Sequence, residues 1–131
     1  MIGLDTNVIV RYLAQDDKIQ STRATQIIEQ RLSERNPGFI SVVAIVETAW
    51  VLQRPYGVAA ADIAAAIERI LQADTLVVEC EQAVFAAMTV LKEGRGSFAD
   101  ALVGALGAKA GCLHTSTFDP IRGADRTSVP A

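Results

Sequence analysis

The first ten residues, MIGLDTNVIV, place two apolar stretches on either side of the polar step Asp5-Thr6-Asn7. A short apolar run ended by polar turn formers reads as a buried strand, so a strand is predicted over 1–4. Asp5 or Thr6 then caps a helix over 6–13. Over 20–32, Ala24, Ile27, Ile28 and Leu32 recur at helical spacing with Arg23, Gln26, Gln30 and Arg31 elsewhere, which predicts an amphipathic helix. The breaker Asn36-Pro37-Gly38 ends it and leads to a short strand over 38–41. A very apolar helix follows over 42–53, stopped by Pro55 and Gly57, and then an alanine-rich helix over 60–72 with Asp62 near its first turn. Beyond it come a strand over 75–79, helices over 81–92 and 97–110 closed by Gly94 and Gly111, and a strand over 112–118. The tail at 126–129 adds an edge strand.

Apolar strands that alternate with helices imply an α/β fold: a central, mostly parallel sheet with helices on both faces. In such sheets ligands sit beyond the carboxyl ends of the strands. Strand ends are therefore where chemistry is to be sought.

Composition narrows the picture. At 131 residues the chain fits a single domain over 1–131 with a sizeable core. Half of it is hydrophobic and only 21% is charged, which excludes a disordered chain. Aromatic residues are 5%, so the core must be aliphatic. The net charge of -3 argues against wrapping nucleic acid by bulk charge, yet it suits a nuclease whose carboxylates hold cations. Cys80 and Cys112 make neither a disulfide framework nor a zinc spacing and are expected as buried, reduced thiols. No basic segment precedes the apolar start, and no apolar run approaches the ~20 residues of a membrane helix. The expected location is cytoplasmic.

Four acids merit attention. Asp5 and Asp119 each end a predicted strand, where a turn or cap role also explains an aspartate. Glu47 interrupts the apolar stretch SVVAIVETAWVLQ; it is either a buried carboxylate, costly unless paired or cation-bound, or part of a wet stripe with Thr48 and Gln53. Asp100 lies in SFADALVGALGAKAG, where Ser97 and Asp100 resemble a capping box. Asp100, Gly104, Gly107 and Gly111 also fall on or near one helical face, which admits close approach by a packed backbone or by something else. Together the four come from four elements and would converge at one sheet edge. Crowded carboxylates demand protons or a cation. Oxygen-only ligands suit Mg²⁺ or Mn²⁺, which activate water and stabilise the leaving oxygen in phosphodiester hydrolysis.

The segments GLDTNVIVRYL, ISVVAIVETAWVLQRPYG, SFADALVGALGAKAGC and TSTFD, in that order, resemble the PIN-domain family of metal-dependent ribonucleases, and within it the VapC-type toxins of toxin–antitoxin pairs. The resemblance spans almost the whole chain. It implies a PIN-like three-layer sandwich and a divalent-metal-dependent endoribonuclease, the toxin of a type II pair, with RNA as substrate, a cognate antitoxin as partner and a homodimeric assembly. It implies that Asp5, Glu47, Asp100 and Asp119 form a catalytic acidic quartet holding Mg²⁺ or Mn²⁺. Asp5 and Asp100 would be the central ligands. Thr6, Asn7 and Thr117 match supporting positions. After Asp119 the sequence departs from the family pattern, with Pro120 and Ile121, and Asp125 is an alternative last acid.

Other residues are weaker candidates. His114, the only histidine, lies in an apolar strand that favours a structural role. Trp50 and Tyr56 could stack on bases, although core or interface packing suits Trp50 better. Arg95 and Arg11 are the preferred phosphate contacts, ahead of Arg122 and Arg126. Two other functions compete: a phosphatase with Asp5 as nucleophile, which lacks the usual second acid because Asn7 stands there, and a non-catalytic PIN-fold binding module.

Overall fold

Strand β1 (Ile2–Gly3) passes straight into α1 (Thr6–Ala14) because Asp5 caps the helix, its Oδ1 accepting from Val8 N–H at 3.0 Å. The computed structural model describes residues 1–118 and the strand Ser128–Pro130; Asp119, Arg122, Asp125 and Arg126 lie outside the described residues. Two compact units result, Met1–Glu81 and Gln82–Ala131.

In the first unit, α2 (Lys18–Gln26) starts two residues earlier than predicted, since the side chain of Asp17 caps it by accepting from Gln20 N–H. The predicted continuation to residue 32 is a wide π-helical turn, Ile27–Arg31, ended by Leu32 in extended conformation. Then come β2 (Gly38–Ile40), α3 (Val42–Gln53), α4 (Ala60–Gln72) and β3 (Leu76–Val78). The three strands are parallel in the order β1-β2-β3, with Ile2 opposite Gly38 and Ile40 opposite Val78. The helices lie around this sheet: α1 packs on α2 and α3, and α4 on α3 and β3.

The core of this unit is aliphatic, as expected: Leu4, Ile9, Ile40, Ile45, Ile67 and Val78 are buried. Of the first strand, though, only Leu4 is buried, because β1 is an edge strand of the three. Gly38 permits close packing beside it, since a Cβ there would stand 2.8 Å from Leu32 Cδ1 and 2.9 Å from Leu4 Cδ1. Trp50 is not core; it is 57% exposed on α3.

The second unit holds α5 (Glu81–Lys92), α6 (Phe98–Lys109), β4 (Thr115–Thr117) and β5 (Ser128–Pro130). β4 and β5 form a separate parallel pair. Val84, Ala87, Met88, Phe98 and Leu102 are buried. β4 is shorter than the strand predicted over 112–118, because Gly111, at φ +99, turns the chain after α6 and Cys112 N–H closes back on Gly107 C=O. The expected buried thiols are not found: Cys112 is exposed on that turn, and Cys80 is half-buried at φ +52 just past β3. His114, expected inside an apolar strand, is exposed one residue before β4.

Candidate functional site

The parallel register puts the carboxyl ends of β1, β2 and β3 along one edge, and each end carries a polar residue: Asp5, Ser41 and Glu79. Asp5 follows Leu4, whose N–H extends the ladder to Phe39 C=O at 2.9 Å. Ser41 follows β2 and caps α3, its Oγ accepting from Ala44 N–H at 3.1 Å. Glu47 lies on α3 a little more than one turn from its start.

Glu47 is exposed, so burial does not single it out, contrary to what so apolar a helix suggested. The helix buries Ala44, Ile45, Thr48, Ala49 and Leu52, and turns Val43, Glu47 and Trp50 outward. Thr48, read as part of a wet stripe, is instead buried, its hydroxyl donating to Ala44 C=O at 2.8 Å. Glu47 and Asp5 nevertheless line one cleft of about 400 Å³, together with Thr6, Phe39, Ser41 and Val43. Among the described residues no Lys, Arg or His lines this cleft. Two acidic residues therefore border common space, with no cationic side chain among the described residues lining it. One oxygen of Asp5 holds the α1 cap, and a carboxylate's remaining lone pairs can still meet a cation.

Asp100 belongs to the second unit, in the first turn of α6. The backbone half of the expected capping box is present, with Ser97 Oγ accepting from Asp100 N–H at 3.1 Å. At Gly107 the helix is met by side chains of the following segment: a Cβ there would stand 3.5 Å from Thr115 Oγ1 and 3.8 Å from Cys112 Cβ. Thr117 is buried in β4, Asn7 is exposed on α1, and Thr6 lines the cleft. Among the described residues no three His, Cys, Asp or Glu side chains gather into a metal-holding group. The two oxygen donors of the cleft still fit Mg²⁺, which takes one or two carboxylates, keeps several waters and completes its shell on phosphate oxygens.

The two preferred arginines are engaged. Arg11 Nη1 donates to both carboxylate oxygens of Asp16 at 3.1 and 3.0 Å and to Tyr56 Oη at 2.9 Å, and its Nε donates to Gln20. It would have to leave Asp16 to reach a phosphate. Arg95 makes an exposed ion pair with Glu93 at 2.8 Å and borders a groove of about 340 Å³ between residues of α5 and α6. Such an exposed pair is weak and exchangeable.

The PIN domain family model matches residues 2–123. The chain belongs to the PIN domain family. PIN domains are commonly nucleases, generally use divalent metal ions and generally bind RNA, so the family supports a hydrolase of nuclease type at that level. The parallel sheet with helices around it agrees with the α/β PIN-like fold. Comparisons with curated proteins and with solved structures return no match. No helix among the described residues is long and apolar enough to cross a membrane.

Two residues of the sheet edge, Ser41 and Glu79, are not among the sequence candidates; both fall at the ends of predicted strands. Ser41 carried a signal, since a serine just before an apolar helical run is an N-cap candidate. Glu79 carried none, because its partner is distant in sequence.

Proposed function

We propose that the chain is a divalent-metal-dependent endoribonuclease, the toxin of a type II toxin–antitoxin pair, with residues 1–131 acting as one PIN-like domain. The observation that carries this reading is the cleft in which Asp5 and Glu47 stand together with no basic side chain lining it among the described residues. Left alone, the two carboxylates repel an RNA phosphate; with a divalent cation between protein and RNA the sign of the interaction reverses. Asp5 and Glu47 would hold Mg²⁺ or Mn²⁺ from the first unit, and Asp100 and Asp119 would complete the quartet. When bound, the ion supplies Lewis acidity toward the phosphodiester and activates water. The protein's own part is to fix the oxygens: the α1 cap holds Asp5, and Thr6, Asn7 and Thr117 support the acids. Arg95 would meet RNA phosphate by giving up Glu93. A cognate antitoxin, a homodimer and a cytoplasmic location go with the toxin reading. A non-catalytic PIN module and an Asp5-nucleophile phosphatase are the rivals.

Incubating a total RNA pool with wild type and Asp100→Asn, each with Mg²⁺, with Mn²⁺ or with chelator, separates these readings. Cleavage by wild type alone, only with metal, and reduced at least about a hundredfold by the substitution, is expected. Equal cleavage by both proteins contradicts the quartet. Absence of cleavage together with absence of metal binding favours the binding module, and a stable aspartyl-phosphate on Asp5 favours the phosphatase.

A further inference from the structure

Glu79 is not among the four acids, and it does not line the cleft. It stands at the carboxyl end of β3 and makes two bonds to the residues on either side of Ser41. Its backbone N–H donates to Ile40 C=O at 2.9 Å, adding one rung to the β2–β3 ladder. Its side-chain Oε1 accepts from Val42 N–H at 2.8 Å. Ile40 ends β2 and Val42 is the first residue of α3, so one glutamate brackets the junction from which α3 departs.

The first N–H groups of a helix have no partner within it, and an anion there is favoured by the helix dipole as well as by the bond. Ser41 satisfies Ala44 N–H through its side chain; Glu79 satisfies Val42 N–H across 37 residues of sequence. Such a charge-assisted bond is stronger than a neutral one. Directly after it, Cys80 takes a left-handed conformation, φ +52, and the chain turns into α5. Glu79 is thus the last residue of β3's ladder before that turn, bonded to the start of α3.

From these contacts we infer that Glu79 is a positioning residue for Glu47. By tying β3 to the start of α3 it sets where α3 leaves the sheet, and therefore where Glu47, on the next turn, stands relative to Asp5. Its effect on cation binding rests on the metal reading of the cleft; its effect on the pose of α3 does not.

The test uses the full chain with Glu79→Ala and Glu79→Gln. The glutamine retains a carbonyl oxygen that accepts the same N–H, and only the charge is lost. In metal-free protein, amide exchange at Val42 and the side-chain carboxyl NMR shift of Glu47 are recorded; Mn²⁺ affinity is then measured by calorimetry. Glu79→Ala is expected to speed Val42 exchange about tenfold, to move the Glu47 signal and to weaken Mn²⁺ binding about tenfold. Glu79→Gln, which keeps the acceptor and loses only the charge assistance, should raise Val42 exchange and weaken Mn²⁺ binding by about threefold at most and leave the Glu47 signal close to its wild-type position. Unchanged Val42 exchange or an unmoved Glu47 signal in Glu79→Ala overturns the inference. So does an equal loss of Mn²⁺ affinity in both variants with Val42 exchange restored in Glu79→Gln, which would mark Glu79 as a charge near the cation. If wild type binds no Mn²⁺, the metal reading fails while the two metal-free readouts still decide the role of Glu79.

Discussion

Two polar clusters in the first unit use similar residues to opposite ends. At one end of α1, Arg11, Asp16, Tyr56 and Gln20 satisfy one another: Tyr56 Oη donates to Asp16 Oδ2 at 2.7 Å, and the Arg11 guanidinium reaches Asp16, Tyr56 and Gln20. Its charges cancel, and it ties the end of α1 to the loop after it and to the turn after α3. At the other end of α1, Asp5 and Glu47 line a cleft that no basic side chain among the described residues enters. A closed network of opposite charges does structural work. Like charges gathered in the open call for something from outside. That difference, more than the number of acids, separates a candidate site from a surface ion pair.

The largest expected effect on stability lies under the acid edge. Gly38→Ala would push a Cβ against buried Leu32 and Leu4, and should destabilise the fold by about 1–3 kcal/mol in a denaturant melt. A loss under that range would show that the leucines yield, and that the edge is not rigidly founded on this packing.

A smaller effect tests the closed cluster through its titration. The Tyr56 hydroxyl, aided by Arg11, holds the Asp16 carboxyl below the usual carboxylate range. Its stabilising contribution is therefore present above the ordinary value of about 3.9 and is lost as pH falls through the lowered one. The same bond holds Tyr56 above its ordinary value of about 10, so that contribution is present below pH 10 and lost as pH rises through the raised value. The tyrosinate absorbance of Tyr56, isolated by Tyr12→Phe, should appear above pH ~10 and return toward it in Asp16→Asn. An Asp16→Asn titration identical to that of the parent would mean the bond is not formed in solution.

Helices were far more legible in the sequence than the contacts that hold the site. The bounds of α3, α4 and α5 agree with their prediction to the residue, because apolar periodicity is strong there and Pro55, Gly57 and Gly94 stop the chain. Over 18–31 prediction and structure differ, because Asp17 caps the helix two residues earlier and a π-helical turn leaves no mark in a 3.6-residue pattern. The first four strands are shorter than predicted, since only two or three residues of each pair with a neighbour. Asp5 stands out by its position after an apolar run and Glu47 by its apolar setting, which allows either a buried carboxylate or a wet stripe; Glu47 is exposed, while Thr48 beside it is buried. Glu79 was invisible because its role depends on a parallel pairing between strands almost forty residues apart. The pairing of Arg11, a candidate phosphate contact, with Asp16 is not legible in the sequence, which does not show which charges neutralise each other in the fold.

The contrast between the open and the closed cluster is tested most directly by titrating Mn²⁺ calorimetrically into wild type, Asp5→Asn and Asp16→Asn. Both substitutions remove one negative charge from the same unit, so bulk charge is matched. Wild type and Asp16→Asn should bind with affinities within about twofold, and Asp5→Asn should lose at least about tenfold. Equal binding by Asp5→Asn and wild type, or an equal loss in both variants, would contradict the assignment of the cleft as the cation site.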